Sequence, residues 1–472
     1  MLFDTTLFVW FFVLVFSGFW LVARFPVVRV LWLLTASYLF YASWNPTLVG
    51  LIIASTVADY WIARRIFEAD SQRKRKSWLM LSLVTNLGVL AGFKYTGFFL
   101  ESFNDAMALM GSTGRIPVPA IILPVGISFY TFQTLSYTID VYRGKLRAAE
   151  NPLHFALFVA FFPQLVAGPI VRASDFMPQL LKAPVFDARK HGLGLFLVCM
   201  GLFKKIALAN TLSVNLVDRV WDSPELYSSL EVFVGMHAYA FQIYCDFSGY
   251  SDVAIGLALL LGFQLPENFN RPYLSRDIAE FWRRWHISLS TWLRDYLYIP
   301  LGGNRGSSAA TYRNLAITML LGGLWHGASW NFVLWGAAHG IALGVVRFLQ
   351  RRKDPEAAPP TFMRQLLSGF ITFEFVNLTW VLFRAPTLAD AGRVMSRLGE
   401  FSSYAPNLTT PVLLALSGAA LLHFSPPRWK GQLAERFIAL PGWAQGAVVV
   451  VVAICLQQLK GVDAVPFIYF QF

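Results

Sequence analysis

Residues 281–300 carry the side chains of this chain that are best suited to chemistry. They read Phe-Trp-Arg-Arg-Trp-His-Ile-Ser-Leu-Ser-Thr-Trp-Leu-Arg-Asp-Tyr-Leu-Tyr-Ile-Pro, with His286 among arginines and aromatic residues. A second histidine, His326, stands in the apolar stretch 320–330, next to Trp325 and close to three glycines. A neutral imidazole titrates at about pH 6.5, so it can take a proton from a hydroxyl and return it to a leaving group. Because ionisable groups in apolar segments are costly, the two histidines indicate a site of proton transfer.

Each histidine also allows a purely structural interpretation. A continuous helix through residues 281–298 would place His286 at the border between an aromatic face and a cationic face. The aromatic face would hold Phe281, Trp282, Trp285, Leu289, Trp292 and Tyr296, and the cationic face Arg283, Ser290 and Arg294. Such a helix could lie in the membrane interface as an anchor. His326 could be a core histidine bonded to a neighbour, and His339, on roughly the opposite helix face from His326, is assigned to structure.

A polar cluster at 242–252 adds two aspartates. Asp246 and Asp252 lie at or near membrane depth, where a carboxylate needs a partner. They could orient a histidine, pair with Arg283 or Arg294, bind a cation, or form buried ion pairs that fix helix packing. Sites for hard cations need several converging oxygen ligands, and the cysteines lack the spacing of a zinc site. The sequence therefore predicts no metal site.

The composition indicates which kind of protein must position these residues. Of 472 residues, 56% are hydrophobic and only 14% are charged, whereas a soluble domain carries about 25% charged residues. Continuous apolar runs recur along the chain, each near the ~20 residues that cross a bilayer as a helix. The net charge of +12 is concentrated in short loops such as 64–76, as in cytoplasmic loops of membrane proteins. We therefore expect an all-α, polytopic integral membrane protein with no nucleic-acid partner.

The apolar runs place about eleven to thirteen transmembrane or re-entrant helices. The candidate spans lie near residues 6–23, 29–44, 47–63, 77–94, 119–139, 153–169, 192–213, 230–245, 249–263, 314–324, 329–348, 366–383, 410–424 and 440–457. Those at 153–169 and 314–324 are short enough to be re-entrant. The stretch 351–360 is the clearest linker, because proline and charge interrupt a helix. It divides a single domain, residues 1–472, into a core at about 119–349 that holds both histidines and C-terminal helices at about 361–472.

Three motifs carry a resemblance to a known family. They are Asn-Phe-Asn-Arg-Pro-Tyr at 268–273, Phe-Trp-Arg-Arg-Trp-His at 281–286 and Tyr-Ile-Pro-Leu-Gly-Gly-Asn-Arg at 298–305. Segments 123–133, 161–169 and 380–384 add to it. The combination closely resembles the membrane-bound O-acyltransferase (MBOAT) family, in the bacterial branch typified by alginate O-acetylation. The resemblance covers nearly the whole chain and implies helices arranged around a central funnel that contains the histidines.

The resemblance also implies roles for individual residues. His326, in Leu-Trp-His-Gly, matches the family's membrane-embedded histidine, which is regarded as the catalytic base. His286 matches a second histidine of the bacterial branch. The donor would be acetyl-coenzyme A, a substrate rather than a bound cofactor, with its phosphates held by arginines, which offer bidentate contacts. The arginines that could do so are Arg283, Arg284, Arg294 and Arg305, and further substrate-binding candidates are Asp246, Trp285, Trp325 and Tyr298. Trp282, Trp285, Trp325 and Trp330 could line a short tunnel.

The function implied is O-acetylation of an exported polysaccharide such as alginate or cellulose. The protein would lie in the bacterial inner membrane as a multi-pass protein and pass acetyl groups to an extracytoplasmic acetyltransferase partner. Peptidoglycan O-acetylation and D-alanyl transfer to teichoic acid are alternatives of the same class, as is acylation of a lipid or protein. A transporter or polymer conduit without covalent chemistry is an alternative of another class, although no internal repeat of the kind transporters show is present.

Overall fold

The structure, a computed structural model, describes residues 1–352, 360–459 and 467–468. All regular structure in these residues is helical. The chain divides into two compact units, Met1–Lys190 with Leu257–Pro266, and His191–Gly256 with Glu267–Phe472. Six of the described helices are long and apolar enough to cross a membrane, and three shorter apolar helices accompany them. The prediction of an all-α polytopic membrane protein is confirmed. Most of the linker predicted at 351–360 lies outside the described residues.

Nine described helices lie entirely within the first unit. They are α1 (Thr6–Leu21), α2 (Pro26–Ala42), α3 (Pro46–Glu68), α4 (Gln72–Lys94), α5 (Thr96–Leu109), α6 (Ile127–Tyr142), α7 (Pro152–Ala160), α8 (Phe162–Leu165) and α9 (Ala173–Leu180). A buried carboxylate, Asp59 on α3, lies at the centre of their polar contacts. It accepts hydrogen bonds from Ser82 and Asn86 of α4, so it ties the two helices together.

The second unit holds both histidines singled out above. Its helices are α10 (Ala188–Phe203, whose first residues belong to the first unit), α11 (Asp218–Asp222), α12 (Ser229–Leu260, which ends in the first unit), α13 (Ile278–Arg284), α14 (Ile287–Leu293), α15 (Ser308–His326), α16 (Trp330–Arg351), α17 (Phe362–Arg384), α18 (Leu388–Arg397), α19 (Thr410–Phe424), α20 (Pro427–Ile438) and α21 (Gly442–Leu459). π-Helical segments follow α10 and α14, at Lys204–Asn210, Ser213–Val217 and Arg294–Tyr298, and short 3-10 turns lie at Pro224–Leu226, Pro272–Leu274 and Leu398–Glu400.

Several predicted spans have different bounds in the structure. The two spans predicted at 230–245 and 249–263 are one helix, α12, because Gly249 and its neighbours continue the helical backbone. The span predicted at 314–324 is part of the 19-residue helix α15, too long for the short re-entrant segment expected. In the span predicted at 119–139, the helix begins only at Ile127, after Gly126 with a φ of +76°. A side chain at Gly126 would also meet the carbonyl oxygen of Leu165 at 2.6 Å.

Two lysines and two aspartates join the π-helical segment Lys204–Asn210 to α12 in the second unit. Lys204 Nζ lies 2.7 Å from an oxygen of Asp252, and Lys205 Nζ lies 2.6 Å from an oxygen of Asp246. All four side chains are largely buried. A buried charge needs a partner of opposite sign, so these pairs fix how the π-helical segment after α10 meets α12. The structure thus supports the packing interpretation of the two aspartates and does not show the predicted pairing with Arg283 or Arg294.

Candidate active site

His286 interrupts the helix that the sequence pattern predicts. The helix ends at Arg284, His286 has a φ of +41°, and α14 starts at Ile287. The prediction of one continuous amphipathic helix over 281–298 was therefore wrong. The reason is that the segment 268–270 takes backbone groups that a continuous helix would use. Asn270 N–H donates to the Arg284 carbonyl at 2.8 Å, and Ile287 N–H donates to the Asn268 carbonyl at 2.9 Å.

The His286 imidazole is fully buried among polar and aromatic groups. Its Nδ1 lies 3.2 Å from Oδ1 of Asn268. The ring of Phe247 on α12 meets it edge-on, with 4.7 Å between centroids and 89° between planes. The indole of Trp325 lies 5.9 Å away by the same measure. His286 is thus held at a helix break by one amide and enclosed by rings, and it is not a residue of an exposed anchor helix.

His326 is the last residue of α15 and is also buried. The next residue, Gly327, is extended, so the chain turns away directly after the imidazole. Three aromatic rings surround His326 at steep angles, with centroids 5.1 Å away for Trp325 and Trp335 and 5.2 Å for Phe383. Such surroundings keep bulk water from the ring and make any electrostatic contact there stronger than in water.

One tryptophan contacts both imidazoles. Trp325 on α15 lies beside His326 in the chain, and its indole also meets His286, which comes from the break between α13 and α14. Trp325 is itself buried. The two histidines that the sequence singled out are therefore brought into one site, separated by a single aromatic side chain.

Close packing of α15 against α16 sets the position of His326. A Cβ on Gly323 would lie 2.2 Å from the carbonyl oxygen of Phe332, and one on Gly336 would lie 2.4 Å from that of Met319. Only glycine allows the backbones to approach this closely. Because Gly323 lies one turn before His326, this contact determines where the imidazole sits relative to Trp335.

His339 lies closer to the site than the sequence suggested. The comparison of helix faces assumed one helix through both residues, but α15 ends at His326 and His339 belongs to α16. Its ring is 4.6 Å from that of Trp335, which also contacts His326. Its Nε2 lies 3.0 Å from the hydroxyl oxygen of Thr379. That bond and full burial agree with a structural role, although the argument from helix faces was wrong.

The four arginines predicted to hold the donor differ in their surroundings. Arg284 pairs with Glu280 at 2.7 Å, and Arg294 pairs with Asp295 at 2.7 Å. Arg283 at the end of α13 and Arg305 in the loop before α15 have exposed side chains. Because Arg284 and Arg294 are already paired with carboxylates, part of their charge is neutralised before an anionic ligand binds.

The remaining predicted residues occupy varied positions. Trp285 is fully buried between Phe281 and Trp380, with ring centroids at 5.7 and 5.0 Å. Trp282 is also buried and touches Trp335. Tyr298 is half-buried at the end of a π-helical segment, and Asp246 also accepts a hydrogen bond from the backbone N–H of Ile468. Trp330 is 55% exposed, and its part in lining a tunnel stays a prediction.

A cavity of about 360 Å³ reaches Asn268, the partner of His286. Its charged lining residues are Lys204, Asp252, Glu267, Arg271 and Lys430. Lys430 on α20 lies 3.6 Å from the Asp252 oxygen that also meets Lys204. Three cations and two carboxylates leave this cavity with a net positive charge at neutral pH. The charge suits an anionic group, and Asn268 is the residue that joins this cavity to His286.

Sequence reasoning missed several residues of this site. Asn268 and Phe383 were used only as parts of family motifs, and Trp335 was not considered. The signal that could have pointed to Asn268 is its position in the motif 268–273, which shortly precedes the His286 segment in the chain. Nothing in the sequence spacing indicated Phe383, because it reaches His326 from another helix, α17.

The chain matches known proteins over most of its length. Residues 145–376 match the model of the membrane-bound O-acyltransferase family. The chain is 44% identical over 433 residues to the probable alginate O-acetylase of Azotobacter vinelandii, covering 89% of this chain and 83% of that protein. It is 39% identical over 457 residues to the peptidoglycan O-acetyltransferase of Helicobacter pylori, covering 90% and 82%. To the teichoic acid D-alanyltransferase of Streptococcus thermophilus it is 32% identical over 284 residues, covering 55% and 68%.

These matches confirm the resemblance that the motifs indicated. The most extensive of them are to proteins named for transfer of acyl groups to oxygen, which speaks against a conduit without covalent chemistry. The two buried histidines lie inside the matched region. The chain therefore belongs to the membrane-bound O-acyltransferase family and is a multi-pass membrane enzyme that transfers acyl groups to oxygen.

Proposed function

We propose that this enzyme moves acetyl groups from acetyl-coenzyme A, at the cytoplasmic side of the bacterial inner membrane, for O-acetylation of an exported polysaccharide. The observation that carries the proposal is the pair of buried imidazoles, His286 and His326, that contact one indole, Trp325. The names of the two most fully aligned relatives above support acetyl transfer to a polysaccharide. Alginate is the first polymer to test, because five proteins named probable alginate O-acetylases are 41–44% identical to this chain.

The reaction needs one proton to move. His326 takes the proton of the attacking hydroxyl while the oxygen forms a bond to the thioester carbonyl carbon. The carbon–sulfur bond then breaks, and the imidazolium returns the proton to the sulfur of the leaving thiol. A well-placed general base contributes about 10²–10⁴-fold to such a reaction. His286 orients His326, contacts the donor or serves a second transfer, in which an extracytoplasmic acetyltransferase partner receives the acetyl group.

Two sets of cations compete for the phosphates of the donor. The first is the arginine set predicted from the sequence, Arg283, Arg284, Arg294 and Arg305. The second is the set in the cavity beside Asn268, of which Arg271 and Lys430 are the members nearest the surface. Replacing Arg283 and Arg305 with glutamine should raise KM for acetyl-coenzyme A with little change in kcat if the first set binds the donor. The same result from Arg271→Gln with Lys430→Gln would assign the donor to the cavity.

The test of the proposed function measures ester content in a deletion strain. Mass spectrometry of extracellular glycan should show loss of acetyl esters and their return with the wild-type gene. His326→Ala and His286→Ala should fail to restore the esters although both proteins insert into the membrane. Acetyl loss from peptidoglycan, D-alanine loss from teichoic acid, or label in lipid instead of polymer would each identify an acceptor other than an alginate-type polysaccharide. Unchanged esters in every fraction would overturn the proposal.

A further inference from the structure

Asn268 contacts the His286 segment through both its side chain and its backbone. Its side-chain Oδ1 lies 3.2 Å from His286 Nδ1, 3.2 Å from the Ser288 backbone nitrogen and 2.9 Å from the Ser288 hydroxyl oxygen. Its backbone carbonyl accepts from Ile287 N–H. The side-chain nitrogen donates to the hydroxyl oxygen of Ser251 on α12 at 3.3 Å. Asn268 is 1% exposed, so these bonds are shielded from bulk water.

These contacts fix which atom of the amide faces His286. A backbone N–H can only donate a hydrogen bond, so the atom that meets Ser288 N–H must be the amide oxygen. The amide nitrogen then points to Ser251, where it has an acceptor. The orientation of the Asn268 side chain is therefore set by its neighbours.

The orientation of the amide fixes the hydrogen on His286. An amide oxygen has lone pairs and no hydrogen, so a hydrogen bond between it and Nδ1 requires the hydrogen on Nδ1. The Ser288 hydroxyl is 3.5 Å from Nδ1 and only 2.9 Å from the amide oxygen, so its hydrogen goes to the amide. In a neutral imidazole the other nitrogen, Nε2, then carries a lone pair.

We infer that Asn268 is a positioning residue that holds His286 in the tautomer with hydrogen on Nδ1, so that His286 accepts protons at Nε2. This inference rests on the proposed function, because it gives His286 the role of a second proton acceptor next to His326. The same contacts hold the left-handed backbone of His286, which a non-glycine residue adopts only when its surroundings impose it.

Ionisable groups on the elements around His286 are mostly paired in the described residues. They are Asp246 and Asp252 on α12, paired with Lys205 and Lys204; Glu267 and Arg271 beside Asn268; His326 on α15; and Glu280, Arg283 and Arg284 on α13. Arg271 donates to the carbonyls of His423 and Phe424. Asn268 is in direct hydrogen-bond contact with the imidazole, so a charge introduced at position 268 would act on His286 directly.

The first test reads the tautomer without any activity measurement. Purified protein labelled with nitrogen-15 in histidine gives separate ring signals for protonated and bare nitrogens, and the His286→Gln spectrum identifies those of His286. We expect a protonated Nδ1 and a bare Nε2 in the wild-type protein. A His286 signal with hydrogen on Nε2 would overturn the inference, even if acetyl transfer is normal.

The second test compares pH profiles of acetyl transfer in membrane vesicles. In Asn268→Asp a carboxylate accepts the same three hydrogen bonds and stabilises the imidazolium, which should shift the acid limb of the rate to higher pH by about one unit or more. Asn268→Leu should lose about 10- to 100-fold in kcat. The matched control is Asn104→Asp, a buried amide in the first unit that bonds the Ile116 backbone, and its profile should stay in place.

The outcomes separate a positioning role from a structural one. If Asn268→Asp lowers the rate without moving the acid limb, Asn268 serves only to support the fold, and the inference fails. If Asn268→Leu does not insert into the membrane, the pH profile of Asn268→Asp and the tautomer of His286 in the wild-type protein still test the inference. If the wild-type vesicles show no acetyl transfer, the proposed function is contradicted. The tautomer measurement on His286 does not depend on activity and remains valid.

Discussion

A single methyl group at Gly323 should disturb the active site without touching either histidine. In Gly323→Ala the new Cβ would lie 2.2 Å from the Phe332 carbonyl oxygen and 3.2 Å from the Gly336 Cα. Ordinary contact begins at 3.4 Å, so α15 and α16 must separate by about 1 Å. Overpacking of this kind costs about 1–3 kcal/mol of stability.

The separation matters because His326 lies three residues after Gly323, on a neighbouring part of the same helix surface. The imidazole would move relative to Trp335, which α16 carries. A shift of about 1 Å in a reacting group can cost ~10²-fold in rate. We therefore expect Gly323→Ala to lower kcat for acetyl transfer by about 10- to 100-fold and to lower the midpoint of thermal unfolding.

The assay is the rate of acetyl-ester formation in vesicles, per mole of inserted protein, together with thermal unfolding in detergent. The control is Gly344→Ala on α16, where the nearest atom to a new Cβ is a ring carbon of Tyr312 at 3.6 Å. This variant should keep its rate and its stability. Wild-type activity in Gly323→Ala would refute the claim that the close contact of α15 with α16 positions His326.

Three further changes test other parts of the structure. Trp325→Leu should lower the rate of acetyl transfer about 10- to 100-fold, since its indole contacts both imidazoles; Trp330→Leu, at an exposed position, should retain it. Lys205→Met should cost about 3 kcal/mol in thermal or denaturant unfolding by leaving the buried Asp246 without its lysine. Adding Asp246→Asn should recover part of that loss, and equal stability of Lys205→Met and wild type would argue against the pair. Hydrogen bonds from Arg393 and Thr387 hold the pKa of Asp390 below its ordinary value of 3.8. The ionised carboxylate therefore stabilises α18 fully at pH values above 3.8. This contribution is lost as the pH falls through the lowered pKa. After division by the intrinsic exchange rate at each pH, hydrogen exchange in α18 of the wild type should accelerate at acid pH. An identical pH response in Asp390→Asn would contradict this.

Much of the fold could be predicted from the sequence because apolar runs of bilayer length leave few alternatives. The spans expected at 410–424 and 440–457 agree with α19 and α21 within two residues at each end. The division of α12 into two predicted spans failed for a physical reason. Its polar residues, such as Asp246 and Asp252, look like a loop in the sequence, but lysines of the neighbouring π-helical segment neutralise them inside the unit.

The site could be predicted in its residues but not in its geometry. Two histidines in apolar surroundings and a family motif were enough to select His286 and His326. The break at His286 depends on two backbone hydrogen bonds from a segment 16 to 18 residues earlier in the chain, and helical periodicity cannot show such a contact. The role of Asn268 likewise becomes visible only when the amide, Ser288 and His286 are seen together.

The most direct test of the central claim is the rate at which His326→Gln transfers acetyl groups from labelled acetyl-coenzyme A in vesicles that contain the acceptor system. Glutamine keeps much of the size and polarity of histidine but cannot accept a proton near neutral pH. We predict a loss of about 10²–10⁴-fold in kcat with membrane insertion and thermal stability close to those of the wild type. A correctly inserted His326→Gln protein that transfers acetyl groups at the wild-type rate would contradict the account.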